Sequence, residues 1–109
     1  MATTIKILGQ SAPSASTLTD LYTVPGGTQA TISTITVCNR GTNVETFRIS
    51  VAVGGAADDV KQYIYRDLSC YPADSFLATV GLTLGAGDVV RVFATSANFS
   101  FQLFGAETT

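Results

Sequence analysis

The sequence predicts an all-β protein, a single β-sandwich of the jelly-roll or immunoglobulin-like kind with seven to eight antiparallel strands. Turn residues recur about every dozen positions, and apolar residues alternate with polar ones between them, which is typical of a sandwich. No segment keeps a 3.6-residue apolar period over three turns. The 109 residues fit one domain, 1–109, with one core.

The clearest strand signal lies in residues 47–53, where Phe47 and every second residue after it are large and apolar. This strand should therefore have one buried face and one open face. The apolar parity changes within residues 30–39, so we expect a bulge near Ser33 and Thr34. The link 39–43 tolerates positive φ angles and predicts a hairpin connection. Further strands are predicted at residues 21–24, 61–68, 76–84, 89–94 and 99–103.

The composition indicates a surface that is suited to contact with a protein partner. Hydrophobic residues make up 46% of the chain and charged residues only 13%, so Thr, Ser, Asn, Gln and Gly must form most of the surface. Removing water from neutral hydroxyls and amides costs less free energy than removing it from ammonium or carboxylate groups. The formal charge of −2 removes the electrostatic attraction that supplies most nucleic-acid affinity, so direct binding to DNA or RNA is not expected.

Catalysis is not expected, because the chain has no histidine, the side chain most often recruited for acid–base and nucleophilic chemistry. Five aspartates lie mostly beside Gly, Ala or Pro, where short polar side chains satisfy turn backbones: Asp58, Asp59, Asp67, Asp74 and Asp88. We therefore predict a protein that is not an enzyme, with no cofactor and no bound metal.

The start of the chain and the length of its apolar runs suggest the compartment in which the protein is made. The first residues lack the charged and apolar regions of a signal peptide, and no apolar run approaches the roughly 20 residues that cross a bilayer. We therefore expect a soluble protein made in a cytoplasm, without membrane contact.

The chain has two cysteines, Cys38 and Cys70. They are too few for a disulfide framework, and we expect both to be reduced and packed.

Aromatic side chains offer an alternative, since flat rings stack on sugar faces. Tyr63, Tyr65 and Tyr71 are possible surface contacts in that interpretation. The alternating Phe99 and Phe101 are better explained as core residues, and the tyrosines as residues whose ring and hydroxyl meet different environments. Phe104 has the opposite parity, so it should be exposed or cover an interface.

Both ends of the chain lie outside the predicted strands. We expect an N-terminal arm at about residues 1–19 and a short C-terminal tail at about 104–109. These segments carry apolar side chains that isolated tails cannot bury, namely Ile5, Ile7, Leu8 and Phe104. We therefore predict that they order on a neighbouring molecule or add a strand to an exposed sheet edge.

Several segments resemble small virion proteins encoded among the head and tail genes of tailed bacteriophages. The residues that carry the resemblance are 4–10 (TIKILGQ), 20–25 (DLYTVP), 37–41 (VCNRG), 63–65 (YIY), 84–88 (LGAGD) with Val90 and Val92, and 101–105 (FQLFG). None of them is a catalytic signature.

The resemblance implies a β-sandwich building block of the virion, most plausibly a capsid decoration (cement) protein that stabilises the head shell. A tail, baseplate or fibre component is the alternative, including a receptor- or polysaccharide-binding module. The implied partner is the major capsid protein or another virion protein, and the implied location is the virion, after synthesis in the bacterial host cytoplasm. Because tailed-phage shells present local three-fold and six-fold positions, we expect a homo-oligomer, with a trimer as the first choice.

Overall fold

The computed structural model describes residues 2–109, which form two antiparallel four-stranded sheets packed as a sandwich. This confirms the predicted all-β sandwich and sets the strand count at eight. The strands are β1 (Thr3–Ser11), β2 (Thr19–Thr23), β3 (Gln29–Asn39), β4 (Glu45–Ala52), β5 (Tyr63–Cys70), β6 (Asp74–Leu84), β7 (Val89–Ala94) and β8 (Phe99–Thr108). Two short 3₁₀ helices, Val53–Gly55 and Val60–Gln62, lie between β4 and β5.

The strand order defines a jelly roll. One sheet, called sheet A here, has the order β1-β8-β3-β6, and the other, sheet B, has the order β2-β7-β4-β5. Among the strands of residues 2–109, β4 and β5 are the only consecutive pair that also bond to each other, and each other connection crosses between the sheets. Eight strands in two interlocked Greek keys have this arrangement.

The core lies between the sheets and follows from the alternation along the central strands. Phe99, Phe101 and Leu103 of β8 are fully buried, as is Phe47 of β4. The Phe47 ring has its centroid 5.4 Å from that of Phe76 and 6.2 Å from that of Phe99. Burial of each such ring contributes roughly 2–3 kcal/mol, so this aromatic cluster holds the two sheets together.

The predicted bulge in β3 is confirmed. The register of β3 shifts between Ile32 and Thr34 against both neighbours. Against β8 the extra residue is Ser33, whereas against β6 the extra residue is on β6, where Val80 and Gly81 both lie opposite Ser33. The bulge brings the backbones of β3 and β8 close together, and a Cβ atom at Gly105 would lie only 2.0 Å from the carbonyl oxygen of Thr31. Glycine is therefore required at this position of β8.

The predicted N-terminal arm and C-terminal tail are wrong for most of their length. Residues Thr3–Ser11 form β1, and β8 extends through Phe104 to Thr108. The two strands pair from Thr3 opposite Thr108 to Ser11 opposite Phe101. Each end of the chain supplies the hydrogen-bonding partner of the other, which a search for local patterns could not detect.

The predicted hairpin at residues 39–43 is also wrong, because β3 and β4 lie in different sheets. Asn39 is fully buried at this corner. Its side-chain Nδ2 donates to the carbonyl oxygens of Asn43 (2.9 Å) and Cys70 (3.0 Å), while its Oδ1 accepts from the backbone N–H of Gly41 (2.9 Å). The side chain thus replaces the backbone bonds that the crossing interrupts.

Strand β4 follows the predicted one-sided pattern only in its first half. Phe47 and Ile49 are fully buried, but Val53 is 76% exposed and belongs to the first 3₁₀ helix. Ser50, predicted to be on the open face, is fully buried. The cause is the β4–β5 connection, residues 53–62, which folds back over the outer side of sheet B.

Candidate interaction surface

The outer face of sheet A receives no charged side chain from any of its four strands. Residues opposite each other in the sheet share a face, so the strand registers and the alternating burial identify these outward side chains. We call this surface the neutral face, and it consists of Thr3, Ile5, Ile7, Gln10, Gln29, Thr31, Thr34, Thr36, Cys38, Ser75, Leu77, Thr79, Thr83, Ser100, Gln102, Phe104, Ala106 and Thr108.

A shallow apolar cleft lies on the neutral face where β1, β8 and β3 run side by side. Its volume is about 490 Å³, and it is lined by Ile5, Lys6, Ile7, Thr31, Ser33, Phe104, Gly105 and Ala106. Ile7 lies opposite Phe104, and Ile5 lies opposite Ala106. Ile5 is 85% exposed and Ile7 51% exposed. Such large apolar side chains, grouped on one surface, are typical of a site that another protein covers.

Three of the four residues predicted to form an interface meet in this cleft, namely Ile5, Ile7 and Phe104. The fourth, Leu8, packs against the core instead. The register of β1 shifts between Ile7 and Gly9, so the strand changes the face to which its side chains point. Phe104 is half-buried and faces outward, and the sequence signal for this orientation was its opposite parity to Phe101 and Leu103.

Leu77 is a member of the neutral face that the sequence interpretation missed. It is 66% exposed on β6, opposite Thr36 of β3. Its parity differs from that of the apolar series Phe76, Ala78 and Val80, and the same argument that identified Phe104 would have identified it.

A charged cluster fastens β1 to the sandwich on the inner side of the same sheet. Lys6 Nζ lies 2.8 Å from Glu107 Oε1, and the Tyr22 hydroxyl of sheet B donates a hydrogen bond to the same carboxylate. The Lys6 ammonium, followed by the Tyr22 hydroxyl, holds the pKa of Glu107 below its usual range. Burial and the Glu107 carboxylate raise the pKa of Tyr22. Lys6 and Glu107 are thus paired with each other. Arg40, which follows β3, reaches one end of the neutral face, where its Nε donates to Ser100 Oγ at 2.8 Å.

The three tyrosines proposed as surface contacts do not form a common site. Tyr63 lies on the outer side of sheet B, opposite the outward Ser50. Tyr65 is directed toward the core, where its ring packs edge-on against Phe76 with centroids 5.1 Å apart. Tyr71 is 64% exposed in the turn between β5 and β6. The alternating parity of β5 separates the first two, and the turn separates the third.

The outer face of sheet B differs from the neutral face because its charges are paired with one another. Arg48 Nε donates to Asp67 Oδ1 at 2.7 Å, and its guanidinium lies 4.5 Å from the centroid of the Phe93 ring. The Tyr63 hydroxyl donates to Asp58 at 2.9 Å. Hydrogen bonding to Arg48 lowers the pKa of the Asp67 carboxyl. These groups satisfy each other and leave few free donors for a ligand.

Arg91 holds the β4–β5 connection against this face. Its Nη1 and Nη2 atoms donate to the carbonyl oxygens of Ala56 (2.7 Å) and Gly55 (3.2 Å), and its Nε atom donates to Asp20 (3.1 Å). The connection covers the Ser50 hydroxyl, which has no hydrogen-bond partner within residues 2–109. The chain itself therefore covers the part of the outer side of sheet B around Ser50.

The aspartates predicted to satisfy turns do so in three places. Asp88 accepts from the backbone N–H groups of Gly54 and Gly85, both at 2.9 Å. Asp59 forms a capping box with Gln62 at the second 3₁₀ helix. Asp74 accepts from the backbone N–H of Ser75 at 2.8 Å. Turn geometry thus accounts for these carboxylates without a catalytic pair.

Cysteine and metal chemistry give no further site. Cys38 and Cys70 are free thiols, as expected; Cys70 is buried, while Cys38 is half-buried on the neutral face. Burial raises the pKa of the Cys70 thiol, which keeps it unreactive. Over residues 2–109 there is no group of three His, Cys, Asp or Glu side chains that could hold a metal ion. The same residues include no helix with the length and apolarity to span a membrane.

Comparison with known proteins gives no family for the chain. Neither a scan against protein-family models nor a search of curated proteins finds a match.

Proposed function

We propose that this chain is a non-catalytic structural protein that acts by docking on another protein through the neutral face of sheet A. The observation that carries the proposal is a four-stranded face without a charged strand residue, interrupted by a cleft in which Ile5 is 85% exposed. A partner that covers the strand residues of this face desolvates apolar groups, hydroxyls and amides, which costs far less than desolvating an unpaired ion. The Lys6 ammonium beside the cleft is already paired with Glu107 at 2.8 Å.

The particular role we propose is that of a capsid decoration protein in the virion of a tailed bacteriophage, with the major capsid protein or another virion protein as its partner. The resemblance of segments such as 20–25 and 101–105 to small virion proteins supports this role. The jelly-roll order is compatible with it, since viral capsid domains share that architecture, although a fold alone does not define a function. A subunit that binds only assembled shells stabilises them by mass action.

A tail, baseplate or fibre location would use the same face on a different virion protein. The receptor- or polysaccharide-binding version of that alternative has less support, because Tyr63, Tyr65 and Tyr71 point to three different surroundings. Stacking on a sugar needs exposed rings that share one surface.

Cosedimentation with empty shells of the phage that encodes the chain tests the proposal. The Phe104→Lys variant places an ammonium in the cleft, so we expect shell binding to weaken at least about tenfold. The control is Val60→Lys, because Val60 is 72% exposed in the β4–β5 connection, away from the neutral face. It should bind shells as the unsubstituted protein does.

Circular dichroism and thermal unfolding establish that both variants keep the fold. Unchanged shell binding by a folded Phe104→Lys variant would contradict docking through the neutral face. Failure of the unsubstituted protein to bind shells would contradict the decoration role. In that case, the same assay with purified tails would test the alternative location.

A further inference from the structure

Strand β1 is the open edge of sheet A, and its unpaired backbone groups can be assigned from the pairing at its start. Ala2 and Thr109 exchange two backbone hydrogen bonds, of 3.2 and 2.9 Å. Hydrogen-bonded and non-hydrogen-bonded pairs alternate in an antiparallel ladder. In the register of β1 with β8, the N–H and C=O groups of Thr3, Ile5 and Ile7 therefore point away from β8, toward the open edge.

The other three edges of the sandwich are less suited to adding a strand. Strand β2 has only five residues. Strand β5 is irregular at two places against β4 and contains Arg66 and Asp67, the latter with φ of 56°. Strand β6 is regular from Asp74 to Thr79, but this stretch begins with a charged residue, and Gly81 with φ of 60° interrupts the strand beyond it. Short, bulged and charged edges resist strand addition, whereas residues Thr3 to Ile7 of β1 are regular.

The geometry points to a second copy of this chain as the occupant of the β1 edge, paired antiparallel so that the two copies form one continuous eight-stranded sheet. This pairing deepens the homo-oligomer of the proposed function but does not require shell contact. Each copy needs partners for the same groups, and a two-fold contact satisfies both copies at once. The only charge within the regular part of the edge, Lys6, is already paired with Glu107 at 2.8 Å.

The register follows from the side chains and the charges. With Ile5 opposite Ile5 of the second copy, Thr3 lies opposite Ile7, and Lys6 lies opposite Thr4 rather than opposite another lysine. The three pairs formed by Thr3, Ile5 and Ile7 are then hydrogen-bonded pairs, which gives about six bonds between the chains. Ile5 and Ile7 of both copies form a continuous apolar row on the neutral face, and the 85% exposed Ile5 is covered.

This arrangement favours a two-fold dimer over the trimer expected from shell symmetry. A three-fold ring needs a contact between two different patches of the surface. Strand β1 would then have to pair with β2, which is short, with β5, which is irregular, or with β6, which is interrupted at Gly81.

Sedimentation equilibrium of the purified protein, without shells, tests the pairing. We expect a monomer–dimer equilibrium. The Ile5→Pro variant removes an N–H that makes no bond to β8, so it should stay folded but dimerise at least about tenfold more weakly, since about two bonds at the two-fold axis are lost. The matched control Ile5→Val keeps the N–H and should dimerise within about twofold of the unsubstituted protein.

Cross-linking gives a second readout that does not depend on the proline variant. Hydrogen-bonded antiparallel pairs have Cα atoms about 5.5 Å apart, which a disulfide can span. In a Cys38→Ser background, Ile5→Cys should oxidise to a covalent dimer, whereas Thr79→Cys, on β6 at the far edge of the neutral face, should remain monomeric. Both readouts are compared with shell binding of the same preparations.

A protein that is monomeric or trimeric at all concentrations, or an Ile5→Cys variant that cross-links no faster than Thr79→Cys, would overturn the pairing. Shell binding by such a protein would leave the proposed docking role intact. A dimer that does not bind shells would have the opposite meaning, confirming the pairing and contradicting the role.

Discussion

On the outer face of sheet B the charged side chains are paired with one another, whereas the neutral face of sheet A exposes the large apolar side chains of Ile5, Ile7 and Leu77. On sheet B, Arg48 pairs with Asp67, and Arg91 fastens the β4–β5 connection over Ser50. On sheet A, the cleft between Ile5, Ile7 and Phe104 is open. One sandwich thus has a face covered by its own chain and a face suited to a partner, and the difference comes from where the chain places its few charges.

The largest effect should come from breaking the scaffold beneath the neutral face. In a Gly105→Ala variant, the new methyl group would lie 2.0 Å from the Thr31 carbonyl oxygen, so β8 and β3 must separate at the bulge. We expect the free energy of unfolding to fall by about 3 kcal/mol or more. Urea unfolding measures it.

The control for that variant is Gly26→Ala, where a methyl group would contact nothing within 4 Å. It should change the unfolding free energy by less than about 1 kcal/mol. Equal destabilisation of the two variants would show that the close approach at Gly105 does not constrain the sheet.

A smaller effect should follow from uncovering sheet B. Replacement of Arg91 by Met removes the charged donors from the carbonyl oxygens of Gly55 and Ala56. We expect a loss of about 1–3 kcal/mol in unfolding free energy, together with faster proteolysis within residues 53–62. Mass spectrometry of the fragments identifies the cleavage site.

The matched variant is Lys61→Met, which changes an exposed cation of the same connection. It should leave both stability and cleavage nearly unchanged. If Arg91→Met were cleaved no faster than Lys61→Met, Arg91 would not be the residue that holds the connection in place.

The smallest effect depends on pH and concerns Glu107 of sheet A. Lys6 holds the pKa of this carboxyl below its ordinary value of 4.5, so the ionised form favours the folded state. Its contribution to stability is present above about pH 4.5 and is lost as the pH falls through the lower folded-state pKa. The Glu107→Gln variant should therefore be less stable at about pH 7 and lose less stability on acidification.

Urea unfolding at about pH 7 and about pH 3 measures this difference. The corresponding change on sheet B is Asp67→Asn, since Arg48 lowers the pKa of Asp67 in the same direction. If acidification affected the Glu107→Gln variant and the unsubstituted protein equally, the Lys6–Glu107 contact would not stabilise β1.

The sequence predicted the fold class and most strands because alternation is a local signal, clear in β3, β6 and β8. It did not predict β1 or its pairing with β8, because the two strands lie at opposite ends of the chain and their pairing has no local signature. For the same reason, the turn residues at 39–43 predicted a hairpin where the chain crosses between sheets. Turn chemistry specifies a change of direction, but packing decides which sheet the next strand joins.

The candidate interaction surface was predicted in part. Ile5, Ile7 and Phe104 were identified because each is a large apolar side chain at a position that the predicted strands do not bury. Leu8 was assigned to the same group, although the β1 bulge turns it toward the core. The neutral face as a whole, with Leu77 and its many threonines, became recognisable only when the register showed which residues lie side by side.

The position of β8 has a consequence for the order of folding. It lies between β1 and β3 in sheet A, although it is the last strand of the eight along the chain. Before its residues leave the ribosome, β1 has no neighbour in sheet A and β3 has only β6, so sheet A cannot close until β8 has been synthesised. Such non-local pairing makes folding slow and cooperative. The neutral face therefore forms only when β8 is in place, and a chain that stops before β8 cannot present it.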